Sequence, residues 1–198
     1  MSFLVTKEAP DFEAAAVLGD GRVEETFSLH SLRGRYAFLL FYPLDFTFVC
    51  PTEILAFDKQ IDEFNSRECS VVGISVDSPY THSAWRRTGV KEGGIGPIRF
   101  PLVSDMSREI ARSYGVLFED SLALRGLFLL DRESIVRHAV VNDLPLGRSV
   151  EEALRMLDAL RFHVEHGEVC PANWKKGKEG MKPTTEGVVD YLSKYAGE

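Results

Sequence analysis

The stretch "YAFLLFYPLDFTFVCPTEILAF", Tyr36 to Phe57, changes periodicity partway along. Tyr36 to Tyr42 is a continuous apolar run bounded by Gly34 and Pro43, the pattern of a strand buried on both faces at the centre of a sheet. Pro51 suits a first helical turn. Beyond it Ile54, Phe57, Ile61 and Phe64 recur at helical spacing and predict an amphipathic helix to about Ser66. Cys50 stands at the junction of the two patterns.

Outward from this unit, Ala14 to Leu29 reads as an N-terminal β-hairpin around "GDGR" (Gly19 to Arg22). On the other side follow a second buried strand, "SVVGISV" from Ser70, and a helix around Pro79 to Thr88. Next come a Gly-rich segment "KEGGIGP", a short strand in "PLVSD" and a helix near Ser107 to Tyr114. Two strands, "LRGLFLLD" and "IVRHAVV", are joined by a "DRES" turn. Ser149 and Glu152 form a capping box for a helix with Val150, Leu154, Leu157 and Val164 on one side, ending near Gly167. The remainder is polar and lysine-rich with one short helical piece. The predicted fold is a three-layer α/β domain with a mixed sheet and an appended tail.

At 198 residues the chain can bury a core without covalent staples. A formal net charge of −7 disfavours a nucleic-acid partner. Met1 to Pro10 shows no signal-peptide pattern and the longest apolar run is far too short to span a bilayer, so no membrane is expected and the cytoplasm is the expected location. The three cysteines, Cys50, Cys69 and Cys170, are widely spaced with no C-x-x-C pair, which argues against a disulfide scaffold, a dithiol motif and a zinc knuckle; no cofactor or metal is expected.

Cys50 admits two readings. A free cysteine in apolar surroundings is ordinarily a buried packing residue. Against that, a loop between a central strand and a helix is where open α/β sheets place their sites, and a helix N-terminus favours a thiolate. Ionisation alone achieves little: a thiol of pKa about 8.5 is already about 3% thiolate at pH 7, so complete ionisation gains only roughly 30-fold. A catalyst also needs groups that stabilise charge on the leaving atom, and Thr47 with an arginine can do so for oxygen.

The motif "PLDFTFVCPTE" resembles the P-x-x-x-T-x-x-C site of the peroxiredoxins, and "GEVCPANW" around Cys170 resembles the resolving-cysteine motif of the typical 2-Cys subgroup. "LRGLFLLD", "VNDLPLGRSVEE" and "HGEVCPANW" stand in family order, and the likeness runs from about Ala9 to Tyr195. The resemblance implies a thioredoxin-like core domain at 1–160, with the N-terminal hairpin, and an extension at 161–198 carrying the resolving cysteine. It implies a thiol peroxidase acting on hydrogen peroxide and organic hydroperoxides. Cys50 is then the peroxidatic nucleophile, Pro43 shields it from water, Thr47 and Arg125 bind and polarise the peroxide, Glu53 holds the guanidinium, and Arg148 belongs to the same network. Cys170, from the partner subunit, closes a disulfide that thioredoxin or a flavoprotein disulfide reductase reopens. Homodimers and pentamers of dimers are implied too. "GGIG" (Gly93 to Gly96) with Tyr191 and Leu192 resembles the motifs of members sensitive to overoxidation, but Ile95 and Leu192 depart from them, which predicts intermediate sensitivity. A peroxide-sensing relay and a holdase chaperone are the alternative functions.

Each of these residues also has a plainer reading. Arg125 and Arg148 can be surface charges, Thr47 a turn former, Pro43 a strand terminator and Glu53 a helix N-terminal charge. Cys69 is expected buried and structural, His82 and Trp85 packing, Cys170 exposed, and Lys175, Lys176 and Lys178 a solvated tail.

Overall fold

The computed structural model describes residues 3–195 and divides between Val150 and Glu151 into two compact units. The outer limits of the expected core at 1–160 and extension at 161–198, residues 1–2 and 196–198, lie outside the described residues.

The first unit carries β1 (Glu13–Val17), β2 (Val23–Ser28), β3 (Tyr36–Phe41), α1 (Cys50–Lys59), α2 (Ile61–Ser66), β4 (Cys69–Ser75) and α3 (Pro79–Arg87). These are followed by β5 (Leu102–Ser104), α4 (Glu109–Ser113), the small pair β6 (Leu117–Phe118) and β7 (Leu122–Ala123), then β8 (Arg125–Leu130) and β9 (Val136–Asn142). Seven strands form a mixed sheet in the order β2-β1-β5-β4-β3-β8-β9. β4 is parallel to β3 and β5, while β8 is antiparallel to β3 and β9. Every residue of β3 and β8 is buried, as a strand covered on both faces requires. Each large apolar side chain buried there contributes about 1.5–3 kcal/mol.

Gly126 is fixed by packing: a Cβ there would lie 2.8 Å from Val116 Cγ1, so β8 approaches its neighbour only without a side chain at this point. The hairpin and the main strands stand where the periodicity puts them. β4 starts one residue early, which takes Cys69 into the sheet opposite Tyr36 with no exposed surface.

The helix expected to run to Ser66 is broken. Ile54, Phe57, Ile61 and Phe64 are all buried as the spacing requires, but Gln60, at φ −102° and ψ 11°, ends α1 and starts α2. Its N–H bonds to Phe57 O at 3.1 Å, closing a tighter turn than an α-helix, and the Phe57 and Phe64 rings stack across the break with centroids 5.7 Å apart.

The second unit contains most of α5 (Val150–His166), which starts at the boundary, and α6 (Thr185–Tyr195). Gly167, at φ +69°, terminates α5 as a glycine just past a helix end does. The apolar side of α5 is shorter than expected: Leu157 is fully buried, while Val164 is 65% exposed because the last turns carry His163, Glu165 and His166.

Candidate active site

β3 delivers the chain into the site. Tyr42 N still bonds to Ile74 O across the sheet, and buried Pro43, which has no N–H to give, stops the pairing. The loop over residues 43–49 turns sharply at Phe46, φ +53°, and α1 begins at Cys50 with Pro51 in its first turn. Thr47 Oγ1 donates to Leu44 O at 2.8 Å, which commits its proton and leaves its oxygen as an acceptor. Cys50 is fully buried at the N-terminal, electropositive end of a ten-residue helix.

Three charged side chains gather at Cys50. Arg125, the first residue of β8, places Nη1 3.5 Å from Cys50 Sγ and donates from the same nitrogen to Glu53 Oε2 at 2.7 Å, while its Nε donates to Leu144 O at 2.6 Å. Arg148 donates to Glu53 from its backbone N–H (2.8 Å), Nε (2.7 Å) and Nη2 (2.9 Å). Its Nη1 caps the carbonyls of Phe41 (2.7 Å) and Gly126 (2.6 Å), the ends of two central strands. Glu53, Arg125 and Arg148 are each at least nine-tenths buried.

Burial pushes the Glu53 carboxyl up, but the hydrogen bonds and charge of Arg148, helped by Arg125, outweigh it and hold the group below the usual carboxylate range. Burial lowers Arg148, and Glu53 opposes that change. Two cations against one anion leave one positive charge over beside Sγ. That surplus charge stands where negative charge develops on an oxygen bound beside Sγ. The burial of both arginines excludes their plain surface reading.

A second buried network supports the loop. Asp45 accepts from Tyr42 OH at 2.8 Å, pairs with His82 Nδ1 at 2.7 Å, and its own N–H donates to Asp77 Oδ2 at 2.8 Å. Burial pushes Asp45 up and the His82 contact partly offsets this; burial, then the charge of Asp45, drives Tyr42 well up. His82 and Trp85 are fully buried, as packing residues are, but His82 is also a hydrogen-bonding partner of the loop. The tie between Asp45 and His82 has no local sequence signal, since the two lie 37 residues apart.

Ile95, in "GGIG", is buried with its N–H on Trp85 O at 3.2 Å. In the second unit Leu192 is 51% exposed, and Lys175, Lys176 and Lys178 are exposed. Cys170 is half-buried rather than exposed, because Val169 pairs with Met181 through two 2.9 Å backbone bonds and draws the segment in. Its Sγ donates to Ala159 O at 3.4 Å. Burial raises its pKa and the charge of Arg155 lowers it. Among the described residues no helix is long and apolar enough to cross a membrane, and no group of His, Cys, Asp and Glu is placed to hold a metal ion.

Residues 5–139 match the model of the AhpC/TSA family, and residues 159–194 match that of the C-terminal domain of 1-Cys peroxiredoxin. The chain is 56% identical over 190 residues to alkyl hydroperoxide reductase C of Helicobacter pylori, covering 96% of each, and 51% identical over 192 residues to peroxiredoxin-2 of Cricetulus griseus, again covering 96% of each. Among solved structures, reduced 2-Cys peroxiredoxin of Plasmodium vivax superposes with a TM-score of 0.95 at 51% identity, over 97% of this chain and 100% of that one. The mixed sheet with its helices is therefore the thioredoxin-like fold of these proteins.

Proposed function

The chain belongs to the AhpC/TSA family of peroxiredoxins, thiol peroxidases, and on that premise we propose that Cys50 is its peroxidatic nucleophile and Cys170 its resolving thiol. The observation that carries this reading is the excess positive charge of the Glu53, Arg125 and Arg148 cluster, with an Arg125 N–H 3.5 Å from Cys50 Sγ.

The Cys50 thiolate attacks one oxygen of hydrogen peroxide or of an organic hydroperoxide. The O–O bond breaks, the attacked oxygen stays on sulfur as a sulfenic acid, and the other oxygen leaves as hydroxide or alkoxide, which takes a proton from solvent to become water or an alcohol. Arg125 stabilises charge on the peroxide oxygens, and Thr47 accepts the peroxide O–H. Pro43 keeps water off the sulfur. Glu53 and Arg148 are positioning residues: the four hydrogen bonds on the Glu53 carboxylate hold the Arg125 fork in place.

The Cys170 thiolate, supplied by the partner subunit, then attacks Cys50 Sγ. The S–O bond breaks, hydroxide leaves as water, and a disulfide remains that a dithiol reductant, thioredoxin or a flavoprotein disulfide reductase, returns to two thiols. Closure needs Cα atoms about 4.4–6.8 Å apart, so the first turn of α1 unwinds to present Cys50. In this division residues 1–160 reduce the peroxide and residues 161–198 resolve it, within a cytoplasmic homodimer that assembles into a decamer. The departures at Ile95 and Leu192 give intermediate sensitivity to overoxidation, read as sulfinic acid on Cys50 during turnover at high peroxide.

One equivalent of hydrogen peroxide followed by nonreducing electrophoresis and intact-mass analysis tests the assignment. The native protein is expected to give a dimer linked between Cys50 and Cys170, and Cys170→Ser a monomer carrying sulfenic acid on Cys50. An internal disulfide within one chain refutes resolution by the partner. Absence of fast Cys50 oxidation refutes the peroxidase assignment and leaves the holdase, whereas oxidation that thioredoxin or a flavoprotein reductase cannot reverse leaves the relay.

A further inference from the structure

Cys170 is held from one face of α5. Ala159, whose carbonyl takes the Cys170 S–H, and Arg155, four residues earlier, share that face. Arg155 Nη1 donates to Trp174 O at 2.9 Å, so the two ends of the 170–174 segment are tied to the same helix. Between them Trp174 N bonds to Pro171 O at 3.1 Å, closing a turn, and Trp174 is itself buried, with Nε1 on Lys178 O. Glu152 fixes the orientation of the guanidinium, accepting from Arg155 Nε at 2.6 Å and Nη2 at 2.8 Å, which leaves Nη1 for the turn.

We infer that Arg155 is a positioning residue for the resolving thiol: it fastens the 170–174 turn to α5 and keeps a positive charge near Cys170, and so sets how fast the disulfide closes without affecting attack on peroxide. The inference rests on the assignment of Cys170 as the resolving thiol.

The ionisable residues on the elements that flank Cys170 include Glu152, Arg155, Asp158 and His163 on α5, Glu168 on its own segment, and Lys182 next to Met181. Among the described residues, Arg155 is the one whose charge acts on the thiol. The S–H bond to Ala159 O and partial burial both hold the proton on sulfur, and only the thiolate attacks a sulfenic acid. Arg155 therefore opposes the two features that slow closure. Slow closure matters because a sulfenic acid left open is available to a second peroxide and becomes sulfinic acid.

The test is closure of the Cys50–Cys170 disulfide, followed by rapid-quench mass spectrometry from pH 5.5 to 9 in the full-length native protein, Arg155→Gln and Arg155→Lys. The expected result for Arg155→Gln is closure about three- to tenfold slower at pH 7, with its pH profile moved to higher pH. Its sulfinic acid yield should be higher, and Cys50 oxidation should be unchanged within about twofold, which also shows that the variant is folded. Arg155→Lys should restore the native pH profile. Alkylation of Cys170 against pH, in a Cys50→Ser background with and without Arg155→Gln, should show the same displacement.

An unchanged pH profile in Arg155→Gln, whether closure is slowed or not, overturns the inference, because loss of the tie to Trp174 alone does not move a titration. Equal slowing of peroxide attack overturns it as well. If the native protein forms no Cys50–Cys170 disulfide, the resolving assignment falls and this inference with it; if the native protein closes and Arg155→Gln matches it at every pH, this inference alone falls.

Discussion

The two thiols assigned to the reaction sit in opposite kinds of surroundings. Cys50 is fully buried at a helix start, with a guanidinium at 3.5 Å and a carboxylate that holds two arginines through four hydrogen bonds. Cys170 is half-buried on a short segment, with one long S–H bond to a backbone carbonyl and one arginine acting on it. A group that must meet a small, uncharged oxidant needs preorganised charge and dryness, and a rigid sheet with a buried ion cluster provides both. A group that must travel to a second sulfur needs weak ties, and the second unit provides those.

The widest separation between the two sites is expected from replacing each sulfur. Cys50→Ser should reduce peroxide consumption by about 10⁴-fold or more, whereas Cys170→Ser should leave the first oxidation of Cys50 within about twofold and stop turnover after one event. Stopped-flow peroxide consumption separates the cases, and a slow first oxidation in Cys170→Ser would erase the contrast.

Next in size is Glu53→Gln. Removing the carboxylate leaves two buried guanidinium groups facing each other, and urea denaturation should show about 3–5 kcal/mol lost. Glu53 has its folded pKa below the unfolded value, so its contribution is complete above the ordinary 4.5 and disappears as the pH falls through the folded pKa. The native protein should therefore lose stability below about pH 4.5 more steeply than Glu53→Gln does. Parallel acid limbs in the two proteins would show that the carboxylate is not held in this way.

Arg125→Lys keeps the charge but not the fork that spans Cys50, Glu53 and Leu144 O. A loss of about 10²–10³-fold in the rate of Cys50 oxidation is expected, with disulfide closure changed far less once the sulfenic acid exists. The smallest effect is expected from Trp174→Phe, which removes the 3.0 Å bond to Lys178 O: about 1 kcal/mol from the second unit, and no change in peroxide attack.

The parts of this arrangement that the sequence revealed are those whose signal is local. A run such as residues 36–42 suits a strand buried on both faces, and Pro51 with Glu53 suits a first helical turn, so β3, the start of α1 and the apolar face through Phe64 followed from spacing. The break at Gln60 did not, because the same four positions are buried with or without it. Arg125 and Arg148 show why charge is hard to place from composition. Each was readable as a solvated side chain, and only the resemblance to peroxiredoxins turned them inward. What buries them is Glu53, 72 and 95 residues away in the chain. The pairing of Asp45 with His82 and the half-burial of Cys170 escaped for the same reason, being set by strand order and by the Val169–Met181 pairing rather than by neighbours in sequence.

The Glu53 carboxylate has a consequence for how such chains can diverge. Its two oxygens are shared between Arg125, Arg148 and a backbone N–H, so a neutral replacement of Glu53 leaves two buried cations with no anion, whereas a neutral replacement of either arginine still leaves one cation on the carboxylate. A lineage that abandons Glu53 must pass through a poorly folding ancestor or change an arginine in the same step. Glu53 is therefore expected to change only together with one of the two arginines, while the segment that carries Cys170, with no buried ion cluster of this kind around its sulfur, is under no such joint constraint.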